Sequence, residues 1–292
     1  MKKVLSIIIT YNTGKNILKS YNAIKSTEYD VLIVDNGSNE DTIKYLKQIE
    51  NDKDTTIIYL NNNEGIASAL NKGLKYAMHN KYDWALTLDH DSIVTSDMLQ
   101  KMFHTYEKLD DFYKEKIAVI TPVHIEEKIK DFKSIPTNPT EFTEVLTEIT
   151  SGNLIKVSLL NKISLFKEEF FIDYVDHEFC LRINKFGYKV IRVNNAILLH
   201  NLGESEEKKI GKVVFVNTNH SPLRRYYMNR NRMWVWKNYK LLYPKWVKED
   251  KIKFCRELIK IILFEEKKII KIKMIFIGIN HYYKNKYGKY NN

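Results

Sequence analysis

Hydrophobic residues in the first part of the chain fall into two alternating patterns. Short, nearly unbroken apolar runs ("VLSIII", "VLIVD", "TTIIYL", "WALTLD") are each followed by a stretch whose apolar positions recur three and four residues apart: "NILKSYNAIKS", "EDTIKYLKQIE", "NEGIASALNKGLKYAM" and "TSDMLQKMFHTYEKL". The first pattern predicts strands covered on both faces, because a strand with one wet face alternates polar and apolar residues. The second predicts amphipathic helices. Strand–helix units in series predict an α/β fold with a parallel, doubly wound sheet, whose ligands bind beyond the carboxyl ends of the strands. Those ends carry "TYN" (Thr10 to Asn12), "DNGS" (Asp35 to Ser38) and "DHD" (Asp89 to Asp91).

From Tyr239 onward the pattern changes. Leu258, Ile261, Ile262, Ile269, Ile272 and Phe276 fall on one helical stripe and Lys260, Lys267 and Lys271 on the opposite one, with Glu265 interrupting the apolar face. This predicts one basic amphipathic helix, either packed on the sheet or a second subunit, or lying in an anionic membrane surface. Charge sharpens the division: residues 1–220 hold 28 Lys/Arg against 31 Asp/Glu, net −3, and residues 221–292 hold 19 against 5, net +14. The expected organisation is a ligand-binding domain over 1–220 and a basic helical extension over 221–292. A basic patch attracts nucleic acid, anionic lipid or phosphorylated substrate alike. No nucleic-acid motif accompanies this one, so nucleic acid is not the expected partner.

No window approaches the ~18 consecutive apolar residues of a membrane span. The N-terminal "MKKVLSIII" imitates a signal peptide, but its apolar run is short, lacks a small-residue cleavage site and reads as the first strand. The two cysteines, Cys180 and Cys255, lie in helix-like apolar patterns and read as core thiols of a chain from a reducing compartment.

No P-loop and no G-x-G-x-x-G follows the first strand, so the crevice lacks the common phosphate cradles. A divalent cation on Asp89 and Asp91 would neutralise phosphates instead, since hard carboxylate oxygens suit Mg²⁺ or Mn²⁺. The bland alternative for D-x-D is a solvated turn; its place after the fourth strand favours the metal. Asp173, Asp176 and Glu178 crowd the start of another helix, where acids are favourable for electrostatic reasons alone. In "PLRRYYMNRNRMWVW", Arg225 and Arg230 are candidates for diphosphate contact, because the planar guanidinium pairs well with phosphate oxygens.

Together, "SIIITYN", "VLIVDNGS", "NNNEGIASALNKGLKYA", "WALTLDHDS", "SGNLI", "EEFFIDYVDHEFCLRINKFGYKV", "ILLHNLG" and "RRYYMNRNR" resemble the inverting, GT-A-type glycosyltransferases of family 2, and within them bacterial polysaccharide rhamnosyltransferases. The resemblance implies an α/β, GT-A-type nucleotide-sugar-binding fold, with a doubly wound mixed, mainly parallel sheet and a C-terminal helical extension. It implies that Thr10, Tyr11 and Asn12 line the ribose, that Asp35 accepts from the base with Asn36 in the same turn, and that Asn63, Gly65, Asn71 and Lys72 belong to the nucleotide segment. Asp91 resembles a direct metal ligand and Asp89 a bridge between ribose and metal. His90 stands where glutamine is frequent, and His200 takes the place of a metal-coordinating histidine. Asp176 matches the catalytic base, with Glu178 and Asp173 as its competitors. The implied reaction is transfer of L-rhamnose from dTDP-rhamnose, or of a hexose from a UDP-sugar, with Mn²⁺ or Mg²⁺. The implied acceptor is a saccharide or lipid-linked carrier at the inner face of the plasma membrane. The implied location is cytoplasmic, and a homo-oligomer remains open.

Overall fold

The computed structural model describes residues 2–27, 29–126, 140–200, 206–210, 213–217 and 219–291, with side chains left aside at 200, 206–210 and 213–217. The chain forms two compact units. The first is Met1–Glu168 with Asp176–Asn201; the second is Glu169–Val175 with Leu202–Asn292. Where the charge pattern suggested a division at 220, the second unit begins at 202 and also claims a short segment ahead of Asp176.

In the first unit, β1 (Val4–Thr10), β2 (Asp30–Asp35), β3 (Thr55–Tyr59) and β4 (Trp84–Asp89) alternate with α1 (Ile17–Lys25), α2 (Glu40–Ile49) and α3 (Ile66–His79), as the periodicity predicts. β5 (Ser92–Val94), α4 (Met98–Lys108), α5 (Asp111–Lys116), β6 (Ile117–Glu126), β7 (Phe142–Val145), β8 (Asn153–Lys156), α6 (Leu160–Ile163), α7 (Val175–Lys185) and β9 (Lys189–His200) complete it. Every residue of β1 is buried, which explains its unbroken apolar run. α2 starts where the Asn39 side chain accepts the Thr42 backbone N–H at 3.2 Å, with Glu40 and Asp41 in its first turn.

The sheet order is β3-β2-β1-β4-β8-β6-β9-β5, with β7 on β9. β3, β2, β1 and β4 are mutually parallel, as is β6 with β9. The β4–β8, β6–β8, β5–β9 and β7–β9 pairings are antiparallel, so the first half of the sheet is wholly parallel and the second half is mixed. The chain runs outward from β1 to β2 and β3, then returns to β1's other edge as β4. That reversal is a topological switch point, where a ligand crevice forms. The core beneath it joins Ile8, Ile17, Ile24, Ile33, Leu86, Leu88, Leu154 and Ile191.

The second unit holds the hairpin β10 (Glu206–Ile210) and β11 (Val213–Asn217), then α8 (Pro222–Tyr239), α9 (Pro244–Phe264) and α10 (Lys268–Tyr283). α10 packs tightly on α8: a Cβ at Gly278 would lie 2.4 Å from the Tyr226 carbonyl oxygen. The single amphipathic helix expected in the tail is corrected here to two, broken after Phe264, with Lys267 in the left-handed region at φ +52°. Glu265 is the reason. It is 2% exposed and pairs with Arg225 at 2.5 Å and with Lys271 at 2.8 Å. Lys271 and Ile261 are therefore buried, and the apolar side chains left in solvent are Ile252, Ile259, Ile262 and Leu263 of α9 and Ile269, Ile270 and Phe276 of α10. Among the described residues no helix is long and apolar enough to cross a membrane. Cys180 is buried, which pushes its thiol up to about 12, but Cys255 is exposed and is not a core thiol.

Candidate active site

Register places the loops of the switch point side by side: Thr10 lies opposite Asp35 across β1–β2, and Ile9 opposite Asp89 across β1–β4. The loops are then tied to one another. The Asn12 carboxamide oxygen accepts the Asn39 N–H at 2.8 Å, and the Asn12 N–H donates to Ser38 Oγ at 2.9 Å. Asn36 Oδ1 accepts the Glu64 N–H at 2.9 Å, while Asn36 Nδ2 donates to Asn63 Oδ1 at 3.3 Å. Asn63 Oδ1 also accepts the Gly65 N–H at 2.9 Å and does not cap α3 by its side chain; Gly65 is the cap residue, at φ +91°. The "DNG" turn needs its glycine, since Gly37 has φ +75° and a Cβ there would sit 2.5 Å from the Asn62 backbone.

Within this frame Thr10 is buried and Tyr11 and Asn12 are exposed. Asp35 is 1% exposed; its Oδ2 accepts the Ser38 N–H at 3.0 Å. Its Oδ1 is buried and accepts no hydrogen bond from the described residues. A buried carboxylate oxygen left in this state is costly unless a ligand N–H completes it.

Asp89 ends β4 and His90 and Asp91 follow it, all three half-buried. The Asp89 N–H donates to Ser151 Oγ at 3.1 Å, and the His90 carbonyl accepts from Ser20 Oγ. Among the described residues no cluster of three His, Cys, Asp or Glu side chains could hold a metal by itself. Two carboxylates whose remaining positions are left to ligand oxygens fit Mg²⁺ or Mn²⁺, which retain open coordination for phosphates. The β5–β9 register sets His200 opposite Ser92, next to Asp91 in the chain. The His200 side chain and "NLG" after it lie outside the described residues.

The three acids around α7 meet different fates. Glu178 is 1% exposed and holds Arg182 through Nε at 3.0 Å and Nη2 at 2.8 Å. That guanidinium also donates to the Ile163 and Leu165 carbonyls, so Glu178 is part of a structural clamp. Asp173 pairs with Arg224 at 3.1 Å. Asp176 is half-buried, accepts the His177 backbone N–H at 2.8 Å and lies 3.3 Å from that residue's Nδ1.

Three expected ligand contacts are corrected. Asn71 is 2% exposed and spends its carboxamide on the Phe166 backbone, at 2.9 Å to both N and O, and on Glu168 at 2.8 Å. Arg225 is 3% exposed and paired with Glu265. Arg230 is fully buried, donating to the Gly288, Glu169 and Phe170 carbonyls at 2.7, 3.0 and 2.9 Å. Each of these side chains is committed to the protein's own backbone or acids. Lys72 is on the exposed side of α3. Conversely, Ser20, Ser38, Asn39 and Ser151 shape the loops and carried no individual signal beyond being small polar residues near strand ends. A cavity of about 960 Å³ lined by Lys2, Trp84, Phe103, Tyr106 and Lys156 opens at the amino end of β4, away from all of these groups.

The family model for glycosyl transferase family 2 matches residues 6–163, more than half of the chain. The dTDP-rhamnosyl transferase RfbF of Shigella flexneri is 28% identical over 243 residues, covering 78% of each chain. A poly-beta-1,6-N-acetyl-D-glucosamine synthase of Staphylococcus aureus is 28% identical over 110 residues, 37% of this chain and 26% of its own. Among solved structures, the mannosyltransferase PcManGT of Pyrobaculum calidifontis, in complex with GDP-Man and Mn²⁺, has a TM-score of 0.57 at 17% identity, covering 78% of this chain and 61% of that one. TarS 1-349 of S. aureus, in complex with UDP-GlcNAc, has a TM-score of 0.54 at 16% identity, covering 97% and 73%. These likenesses establish the GT-A fold.

Proposed function

The chain belongs to glycosyl transferase family 2, and we propose that it transfers L-rhamnose from dTDP-rhamnose, with inversion, to a saccharide or lipid-linked acceptor of surface polysaccharide. The observation that carries the site reading is Asp35 Oδ1, a buried carboxylate oxygen awaiting a donor at the switch point. The imide N–H of thymine or uracil supplies that donor, which a carbonyl group cannot. The rhamnosyl donor is supported by the likeness to a dTDP-rhamnosyl transferase over most of both chains.

Asp89 and Asp91 would hold Mn²⁺ or Mg²⁺, which offsets the diphosphate charge when bound. Thr10, Tyr11 and Asn12 would flank the ribose, with Asn36, Asn63 and Gly65 fixing the loops that receive the nucleotide; His90 and Lys72 remain candidate contacts at its edge, and His200 a further metal ligand. Asp176 takes the proton of the acceptor hydroxyl as that oxygen attacks the anomeric carbon. The bond from that carbon to the diphosphate oxygen breaks in the same step, so the configuration inverts. General-base assistance of this kind contributes ~10²–10⁴ in rate.

For location, the reading is cytoplasmic and peripheral at the membrane's inner face. It is supported by the exposed isoleucines and Phe276 of α9 and α10, interspersed with exposed Lys248, Lys251, Lys253, Lys267, Lys268 and Lys273. Apolar side chains flanked by lysines suit an anionic lipid surface. A second copy of the chain on the same faces is the rival outcome, distinguished by sedimentation with and without anionic vesicles.

The decisive test of the activity is a donor panel in Mn²⁺ or Mg²⁺. Release of dTDP from dTDP-rhamnose, faster than from UDP-hexoses or GDP-mannose, is expected. Preference for a UDP-hexose would keep the chemistry and replace the donor.

A further inference from the structure

We propose that Ser151 is a positioning residue of the donor site, its hydroxyl setting the geometry of the Asp89–His90–Asp91 turn; this rests on reading that turn as the metal–diphosphate site. "SGNLI" is a motif to which the site described above gives no chemical task. Its serine and Ser92 are both 1% exposed. Ser151 Oγ accepts the Asp89 N–H at 3.1 Å and shares a 2.6 Å hydrogen bond with Ser92 Oγ. One oxygen atom therefore touches the first residue of D-x-D and the residue just after its last, bracketing both carboxylates.

Ser151 is itself held rigidly. The Thr150 carbonyl accepts from Thr87 Oγ1 at 2.7 Å, the Gly152 N–H donates to the Thr87 carbonyl at 2.7 Å, and the Ser151 carbonyl accepts from His124 Nε2 at 2.7 Å. Gly152 has φ +83°, and a Cβ there would meet Pro122 Cγ at 2.7 Å and Leu198 Cδ2 at 2.9 Å, so only glycine lets the segment lie this close. Ser20 Oγ secures the same turn through the His90 carbonyl. A three-residue turn carrying two metal-binding carboxylates must keep their relative direction before the ligand arrives. Partners that orient metal ligands in this way are worth ~10–100-fold in metal affinity.

The test is calorimetry of dTDP and UDP binding with and without Mn²⁺, on the wild type and Ser151→Ala, beside thermal melts. Ser151→Ala is expected to weaken the Mn²⁺-dependent affinity about tenfold and to leave metal-free nucleotide binding unchanged. Ser92→Ala, which spares the Asp89 bond, is expected to weaken it less. A packing role would shift the melt alone. Unchanged Mn²⁺-dependent affinity in Ser151→Ala, or equal losses with and without metal, overturns the positioning role while the metal site stands. Should Ser151→Ala not fold, an unchanged Mn²⁺-dependent affinity in Ser92→Ala overturns it instead. A wild type that shows no metal-dependent nucleotide binding removes the underlying site, and this inference with it.

Discussion

The two compact units treat their acidic side chains in opposite ways. In the helical unit the buried acids are matched to cations: Glu265 lies between Arg225 and Lys271, and Asp250, with half-buried Glu257, holds Arg232, at 3.3 and 3.0 Å respectively. In the sheet unit two acids accept main-chain N–H groups instead: Asp35, at the end of β2, from Ser38, and Asp176, in the first turn of α7, from His177. A carboxylate cancelled by a guanidinium has its charge spent on holding helices together. One held by an amide dipole keeps a full charge to offer a ligand. Glu178, clamped to Arg182, shows that the rule follows the partner and not the unit.

The largest expected effect is on the helical side. Arg232→Ala should strand Asp250 and Glu257 and lower stability by ~3–5 kcal/mol, read in urea unfolding. A loss below ~1 kcal/mol would mean that the network is not structural. On the sheet side, Asp176→Asn should leave donor binding near normal and cut transfer ~10²–10⁴-fold; retained turnover would move the base to Glu178 or Asp173. Asp35→Asn exchanges the open carboxylate for an amide and should lower nucleotide affinity by ~1.5–3 kcal/mol, as for a hydrogen bond to a charged group. Equal losses for pyrimidine and purine nucleotides would remove its base-reading role. The smallest effect concerns the exposed helix faces: Lys273→Ala should weaken binding to anionic vesicles by ~1 kcal/mol at low salt. A full-length protein that ignores such vesicles would end the membrane reading outright.

The first half of the fold was legible because each buried parallel strand announces itself as an apolar run and each helix as a periodic stripe, with no distant partner needed to interpret them. The placement of Asp35, Asp89 and Asp91 at the rim of the switch point was legible for the same reason: a carboxylate at the end of an apolar run stands out. The tail was misread where distant partners decide. Glu265 looks like a flaw in an apolar stripe until Arg225, forty residues earlier, is placed against it. Arg230 looks like a phosphate ligand until its guanidinium is found among the Glu169, Phe170 and Gly288 carbonyls. Asn71 likewise reads as a nucleotide contact because nothing local reveals that Phe166 occupies its amide. Helical periodicity carries the direction of a side chain but not the identity of what it meets.

The most direct measurement is calorimetric binding of dTDP to the wild type and to Asp91→Asn, each with and without Mn²⁺. An amide cannot offset a cation's charge, so Asp91→Asn should lose more of the metal-dependent affinity than the ~10–100-fold that removing an outer partner of a metal ligand costs. Wild-type binding should strengthen on adding Mn²⁺. An Asp91→Asn protein whose affinity responds to Mn²⁺ as the wild type does would contradict the assignment of this crevice as a metal-assisted nucleotide-sugar site.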